Sequence, residues 1–333
     1  MIGSRTPFRI SFIGGGSDLK EFYKHSMGCV ISTTIDKYMY IFVHPYFNKG
    51  IQIKYSKTEL VQNKNEIQHP IAREIIKNSN IDSIDINSIA DIPSGTGLGS
   101  SSSYTVGLLN ALYAYKEKNI SVESLAEEAC NIEINKLKEP IGKQDQYAAA
   151  FGGLNKICFH PNGKVDVIPI VIEPDALKYL KENLILFYLG TTRKASNVLL
   201  EQKQNVLNDK EKFNTLLQMR DLAIEMGKYL KKSNIDGFGE LLNENWNLKK
   251  TLSNKISNQS IDEVYNLGIK NGAVGGKVLG AGGGGFLLFY CNIKSQNKLR
   301  YALKNFKQLI FNFDNTGSRI IFNEKNNKEK IWK

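Results

Sequence analysis

The residues best placed to do chemistry lie in the segment ADIPSGTGLGSSSSYTVGLLNALYAY. A strand-like run ends at Asp91, the chain turns through Gly95, Gly97 and Gly99, and a helix opens at the serines. Glycine lets the backbone approach an anion, and a helix N-terminus offers unpaired N–H groups at the positive end of a dipole. Ser100 to Ser103 add hydroxyls that can donate to phosphate or ligate magnesium. Pro93, Ser94, Gly95, Thr96, Gly97, Leu98, Gly99, Ser100, Ser101 and Ser102 therefore form the candidate phosphate loop. A serine-capped helix following a flexible turn explains the same letters without a ligand. No lysine follows Gly99, so this is not a Walker-type loop, and other parts of the chain must complete the site.

Two more glycine-rich segments flank it. In KVLGAGGGGFLLFYC, Gly280, Gly282 and Gly285 fit G-x-G-x-x-G, but a strand follows where a dinucleotide fingerprint needs a helix. A hairpin turn accounts for the structure of this segment. Five glycines within six residues exceed what a turn needs, so the backbone is kept bare for close packing, with Gly282 and Gly283 as candidate substrate contacts. In FRISFIGGGSDLKEFY, Gly14 to Gly16 end a strand and Asp18 follows; alone, Ser17 and Asp18 could simply cap the next helix.

The elements that must position these segments read as α+β. Strands fit Phe8–Ile13, Cys29–Ile35, Tyr38–Phe47, Asp85–Asp91 and Asn155–Phe159, and Ile51–Tyr55 would complete a hairpin with the strand before it. Helices fit Ile71–Lys77, Ser101–Lys116, Val122–Leu137 and Gln144–Ala150. Beyond the strand Leu184–Leu189, helices dominate from Ser196 to Lys270. Strands at Lys277–Leu279 and Phe286–Cys291, a helix over Gln296–Phe306 and a strand at Arg319–Phe322 follow. The shift toward helix places a domain boundary within 155–190, giving units over 1–180 and 181–333.

The chain has 333 residues, of which 41% are apolar, enough for a substantial core. No apolar run is long enough to span a membrane, and arginines stand where a signal peptide needs an apolar stretch, so a cytoplasmic location is expected. Four scattered cysteines make neither a zinc site nor a disulfide framework. The net charge of +11 favours anionic partners without choosing among them. Nucleic acid is not expected, because no aromatic-plus-basic recognition motif accompanies the charge.

The three glycine-rich segments, in this order, resemble the GHMP kinase superfamily over nearly the whole chain. P-S-G-T-G-L-G-S-S-S-S is similar to the family's P-x-x-x-G-L-G-S-S-A-A. R-T-P-F-R-I-S-F-I-G-G-G-S-D-L and GTTRKAS are most similar to the bacterial D-glycero-D-manno-heptose 7-phosphate kinase branch. The resemblance implies an N-terminal domain of the ribosomal protein S5 domain-2 type and a ferredoxin-like C-terminal domain. It implies ATP and Mg2+ as cofactors and a small sugar phosphate as substrate.

The resemblance also implies roles for single residues. Asp145, in GKQDQYAAAFGG, matches a catalytic aspartate, and Arg9 a cation beside it. Ser101, or its neighbour Ser100, and Glu133 match magnesium ligands. Asp18, with Gly15, Gly16 and Ser17, would meet the sugar. Gly15 and Gly16 replace the Glu-His pair of galactokinase, which argues for a bulkier or differently oriented sugar. A 7-phosphate would need a cation such as Arg193, Lys194, Lys20 or Arg73. Expected activity is phosphorylation of the anomeric hydroxyl of heptose 7-phosphate; another sugar 1-kinase and a non-catalytic sugar- and ATP-binding regulator stand as alternatives. The oligomeric state is left open, a homodimer included.

Overall fold

The computed structural model describes residues 1–190 and 195–324. Its first sheet is built on two long strands, β1 (Ile2–Ile13) and β2 (Gly28–His44), paired antiparallel along their length. Side chains alternate across a strand. Phe8, Ile10 and Phe12 therefore enter the core fully buried, while Arg9 and Ser11 face the opposite side, toward a cleft.

The strand Ile51–Tyr55 does not form the expected hairpin with β2. The edge of β2 is taken by β5 (Ser83–Ala90), and β3 (Gly50–Lys54) pairs parallel with β5 and antiparallel with β4 (Thr58–Val61). The other end of β2 carries β6 (Asn155–Phe159), which pairs in turn with β7 (Val165–Pro169).

The second sheet contains β8 (Leu184–Tyr188), β9 (Ala273–Val278), β10 (Phe286–Cys291) and β11 (Lys307–Leu309), ordered β11-β8-β10-β9 with every pairing antiparallel. With helices between β8 and β9 and between β10 and β11, this is the β-α-β-β-α-β arrangement. Both faces of the sheet are covered. Leu184, Leu186, Leu288 and Tyr290 join the core of the first sheet, and Ile185, Phe187, Leu287 and Phe289 join a second core around Trp246. That double burial is why LILFYL and FLLFYC read as unbroken apolar runs rather than alternating ones.

The unit expected over 181–333 ends outside its own sheet. β12 (Phe313–Asp314) pairs with β2, and β13 (Arg319–Asn323) covers the free edge of β1. An uncovered strand of that length would be open to pairing with other chains.

The helix Ser100–Tyr115 lies directly on the first sheet, with Ser4 donating to Gly107 O at 2.8 Å and Ser103 to Pro7 O at 2.9 Å. A Cβ at Gly107 would come within 2.8 Å of Thr6 Oγ1, so glycine permits the close approach. The expected helix Val122–Leu137 is regular only over Val122–Cys130 and widens into a π-turn over Asn131–Lys136. Such turns displace one residue from the regular face. Here the turn carries Glu133, which is fully buried. No helix among the described residues is long and apolar enough to cross a membrane.

Candidate active site

A cleft of about 1050 Å³ opens between the two sheets. Its floor is Arg9 and Ser11 of β1, and its walls are the phosphate loop, the start of the helix Gln144–Phe151, and the helices Ala195–Asn208 and Phe238–Thr251.

The candidate phosphate loop is fixed by backbone contacts. Gly95, Gly97 and Gly99 all have positive φ, which leads the chain into the helix at Ser100. Arg9 N–H donates to Leu98 O at 3.0 Å, and Phe286 N–H to Thr96 O at 3.2 Å. The third glycine segment presses against this loop. A Cβ on Gly97 would meet Leu279 O at 2.5 Å, one on Gly280 would meet Gly97 Cα at 2.6 Å, and one on Gly285 would meet Thr96 O at 2.3 Å. The surplus of glycine in GAGGGG thus serves packing against the loop.

Three consecutive residues at the start of one helix organise three carboxylates. Gln144 donates from its side chain to Asp18 Oδ1 at 3.0 Å and accepts from Ser11 Oγ at 2.7 Å. Asp145 takes a two-point grip from Arg9, Nε to Oδ1 at 2.7 Å and Nη2 to Oδ2 at 2.6 Å. Gln146 donates to Glu133 Oε2 at 2.8 Å, while Ser101 Oγ donates to Glu133 Oε1.

Arg9 is buried and its third arm donates to Gly97 O at 2.6 Å, so one guanidinium ties the phosphate loop to Asp145. Asp18 accepts from Gly16 N–H at 2.9 Å and Gln144 N–H at 3.2 Å; burial nevertheless raises its pKa above the usual carboxylate value. Glu133 is raised to about 7, chiefly by burial and against hydrogen bonds from Ser101, Gln146 and Ser102.

Among the described residues, no cation lies within salt-bridge distance of Glu133, and no three or more His, Cys, Asp or Glu gather to hold a metal. One carboxylate beside serine hydroxyls at a phosphate loop suits magnesium, which retains waters and phosphate oxygens, rather than a metal caged by protein.

Sequence reasoning missed four contributors. Lys249 and Lys277 are buried lysines lining the cleft. Gln202 is 2% exposed, with its amide nitrogen unpartnered. It fills the space that a side chain at Gly16 would need, since a Cβ there would lie 2.4 Å from Gln202 Nε2. One end of the cleft carries a ring cluster in which Tyr55 meets His69 edge-on and His69 stacks on Tyr104, with ring centroids 4.9 and 4.6 Å apart. No motif announced these: Gln202, Lys249, Tyr55 and His69 lie in elements away from the glycine segments, and Lys277 and Tyr104, though inside two of those segments, are not part of their glycine-serine pattern.

Of the expected substrate residues, Gly15, Gly16 and Asp18 line the cleft. Ser17 faces inward, donating to Gly14 O and Cys29 O and accepting from Cys29 N–H. Gly282 and Gly283 turn toward Ile256, with Gly283 N–H donating to Ile256 O at 2.8 Å. Lys20 is exposed, and Arg73 donates to Ile67 O at 3.2 Å; neither lines the cleft. Arg193 and Lys194 lie outside the described residues.

The chain matches the family description "GHMP kinases N terminal domain" over residues 65–153 and "GHMP kinases C terminal" over 226–308. It is 30% identical over 330 residues to the D-glycero-alpha-D-manno-heptose 7-phosphate kinase of Campylobacter jejuni, covering 95% of this chain and 96% of that protein. The chain belongs to the GHMP kinase family. As a GHMP sugar kinase it is a phosphotransferase, and the family uses ATP as donor. It is also 24% identical to the bifunctional fucokinase/GDP-fucose pyrophosphorylase of Arabidopsis thaliana, over 90% of this chain and 30% of that protein. The crystal structure of a D-glycero-D-manno-heptose 1-phosphate kinase from Bacteroides thetaiotaomicron shares the fold, with a TM-score of 0.78 at 24% identity over 98% of this chain and 100% of that one.

Proposed function

We propose that this GHMP kinase transfers the terminal phosphoryl group of ATP to the anomeric hydroxyl of D-glycero-D-manno-heptose 7-phosphate, giving the 1,7-bisphosphate in the cytoplasm. The observation that carries the choice of sugar is the near full-length likeness to the Campylobacter jejuni enzyme. The product would feed nucleotide-activated heptose for surface polysaccharide.

The geometry supports a direct transfer. Phosphoryl transfer asks a protein mainly for positioning and charge neutralisation. In this reading the phosphate loop holds the nucleotide phosphates, and the Tyr55, His69 and Tyr104 end of the cleft takes the base. Magnesium would be held by Ser101 and Glu133, where it would neutralise phosphate charge. Asp145 accepts the proton of the attacking hydroxyl, and the two-point grip of Arg9 holds that carboxylate in place. Asp18 and Gln202 supply polar contacts for the sugar.

The test is ADP release with magnesium-ATP across heptose 7-phosphate, free heptose, mannose, fucose, galactose and mevalonate. The reading expects strong preference for heptose 7-phosphate. Equal or better turnover of an unphosphorylated sugar would discard the 7-phosphate acceptor, and nucleotide binding with no ADP release on any acceptor would favour a regulator.

A further inference from the structure

Lys249 has no role in the arrangement described so far, and its environment is an unusual one for a lysine. It lies on the helix Phe238–Thr251, is 4% exposed and lines the cleft. Among the described residues no carboxylate stands within salt-bridge distance of its ammonium. Burying an unpaired charge is costly, so a buried ammonium facing a cleft calls for an anionic partner.

Lys277 offers the contrast. It too is buried on the cleft, but its ammonium donates to both Ser11 O at 2.8 Å and Phe12 O at 2.9 Å, tying β9 to β1. That is a structural strut. Among the described residues Lys249 makes one hydrogen bond, to Gly280 O at 2.5 Å. An ammonium has three N–H groups, so two are left for a ligand.

The single bond also fixes where the ammonium points. Gly280 is pressed against Gly97 of the candidate phosphate loop, and Arg9 donates to Gly97 O. Arg9 directly, and Lys249 through Gly280, are therefore brought to the same part of the loop from opposite halves of the chain. The charges acting on Lys249 are Arg9, Asp18 and Asp145, with Lys277 beside it. Both carboxylates already have partners, Asp145 in Arg9 and Asp18 in Gly16 and Gln144.

We infer that Lys249 binds the non-bridging oxygens of the transferring phosphoryl group, between the phosphate loop and the acceptor hydroxyl. This rests on the kinase reading above. In the step, the bond from the terminal phosphorus to its bridging oxygen breaks, and the electron pair leaves with ADP. The acceptor oxygen bonds to phosphorus, and its proton passes to Asp145. Lys249 keeps its protons throughout and offsets charge on the oxygens in flight. The third glycine segment then has a second use, since its Gly280 carbonyl aims this lysine.

The test compares wild type, Lys249→Met and Lys249→Arg by steady-state kinetics, and measures binding of ADP and a non-hydrolysable ATP analogue by calorimetry. We expect K249M to lose roughly 100-fold in kcat, to weaken the ATP analogue by roughly tenfold, and to leave ADP affinity unchanged. K249R should recover a substantial part of the turnover. On the wild type, the Lys249 Nζ resonance should move with the ATP analogue and not with ADP, a readout that needs no variant to fold. Wild-type turnover in K249M, or an Nζ signal indifferent to the terminal phosphate, would overturn the inference. So would a K249M defect confined to phosphorylated acceptors, which would assign the lysine to the acceptor's own phosphate. Absence of ADP release by the wild type would instead count against the kinase reading, and the Nζ response to nucleotide separates the two failures.

Discussion

Asp145 and Glu133 stand on the same wall of the cleft and are held by adjoining parts of one helix, yet the protein treats them oppositely. Asp145 is partly open to the cleft and has its cation built in, with Arg9 gripping both oxygens. Glu133 is fully buried and meets neutral donors only, so burial raises its pKa to about 7. One carboxylate has its cation within the protein; the other has none among the described residues, and the proposed function gives it magnesium. In the proposed function this difference assigns proton transfer to Asp145 and metal binding to Glu133, a division that residue type alone could not make.

Substitutions should divide along that line. The largest effect is expected from Asp145→Asn, which keeps the shape but removes the charge. Turnover should fall by roughly 10² to 10⁴-fold, with ADP affinity unchanged by calorimetry; wild-type turnover would remove Asp145 from the chemistry. Glu133→Gln should cost roughly 10 to 100-fold, visible mainly as a higher magnesium requirement in titrations at fixed ATP. A loss that magnesium does not relieve would make Glu133 a structural group.

Gln202→Leu tests the acceptor side and should spare both carboxylates. Removing one hydrogen bond of about 1–1.5 kcal/mol should raise KM for the sugar by roughly five- to tenfold, leaving the KM for ATP unchanged. An effect on ATP instead would place Gln202 at the nucleotide.

The smallest effect is thermodynamic. Because the folded-state pKa of Glu133 lies above its ordinary 4.5, near 7, the folded protein binds more protons than the unfolded one between those values. Stability from this group is fully present below about pH 4.5 and is lost as pH rises through 7. With magnesium and nucleotide removed, Tm should therefore decline from pH 5 to 7.5 more steeply in the wild type than in Glu133→Gln. Parallel profiles by calorimetry would show that Glu133 titrates normally.

What the sequence revealed followed from how local each signal was. The turn from Gly95 into the helix at Ser100 was legible because its glycines and serines are contiguous, and Gly97 and Gly99 take the positive φ values that their type suggests. The apolar runs at β8 and β10 gave two strands of the second sheet, since burial on both faces leaves a continuous pattern. The pairing of β3 with β5 was not legible, because a hydrophobic pattern marks a strand but not its neighbour. The π-turn at Glu133 was hidden inside a helical pattern. Lys249, Lys277 and Gln202 could not be singled out among 44 basic residues and many amides, because only the packing of the second half against the first brings them to the cleft. Gly282 and Gly283 show the converse: glycine richness signalled close approach, but the approach is to Ile256 and not to the cleft.

The most direct test of the account is identification of the product by NMR. Wild-type protein, magnesium-ATP and D-glycero-D-manno-heptose 7-phosphate should yield a second phosphorus resonance coupled to the anomeric proton, while the original 7-phosphate signal persists. A new phosphate coupled to any other sugar proton, or ADP formed without a phosphorylated sugar, would contradict it.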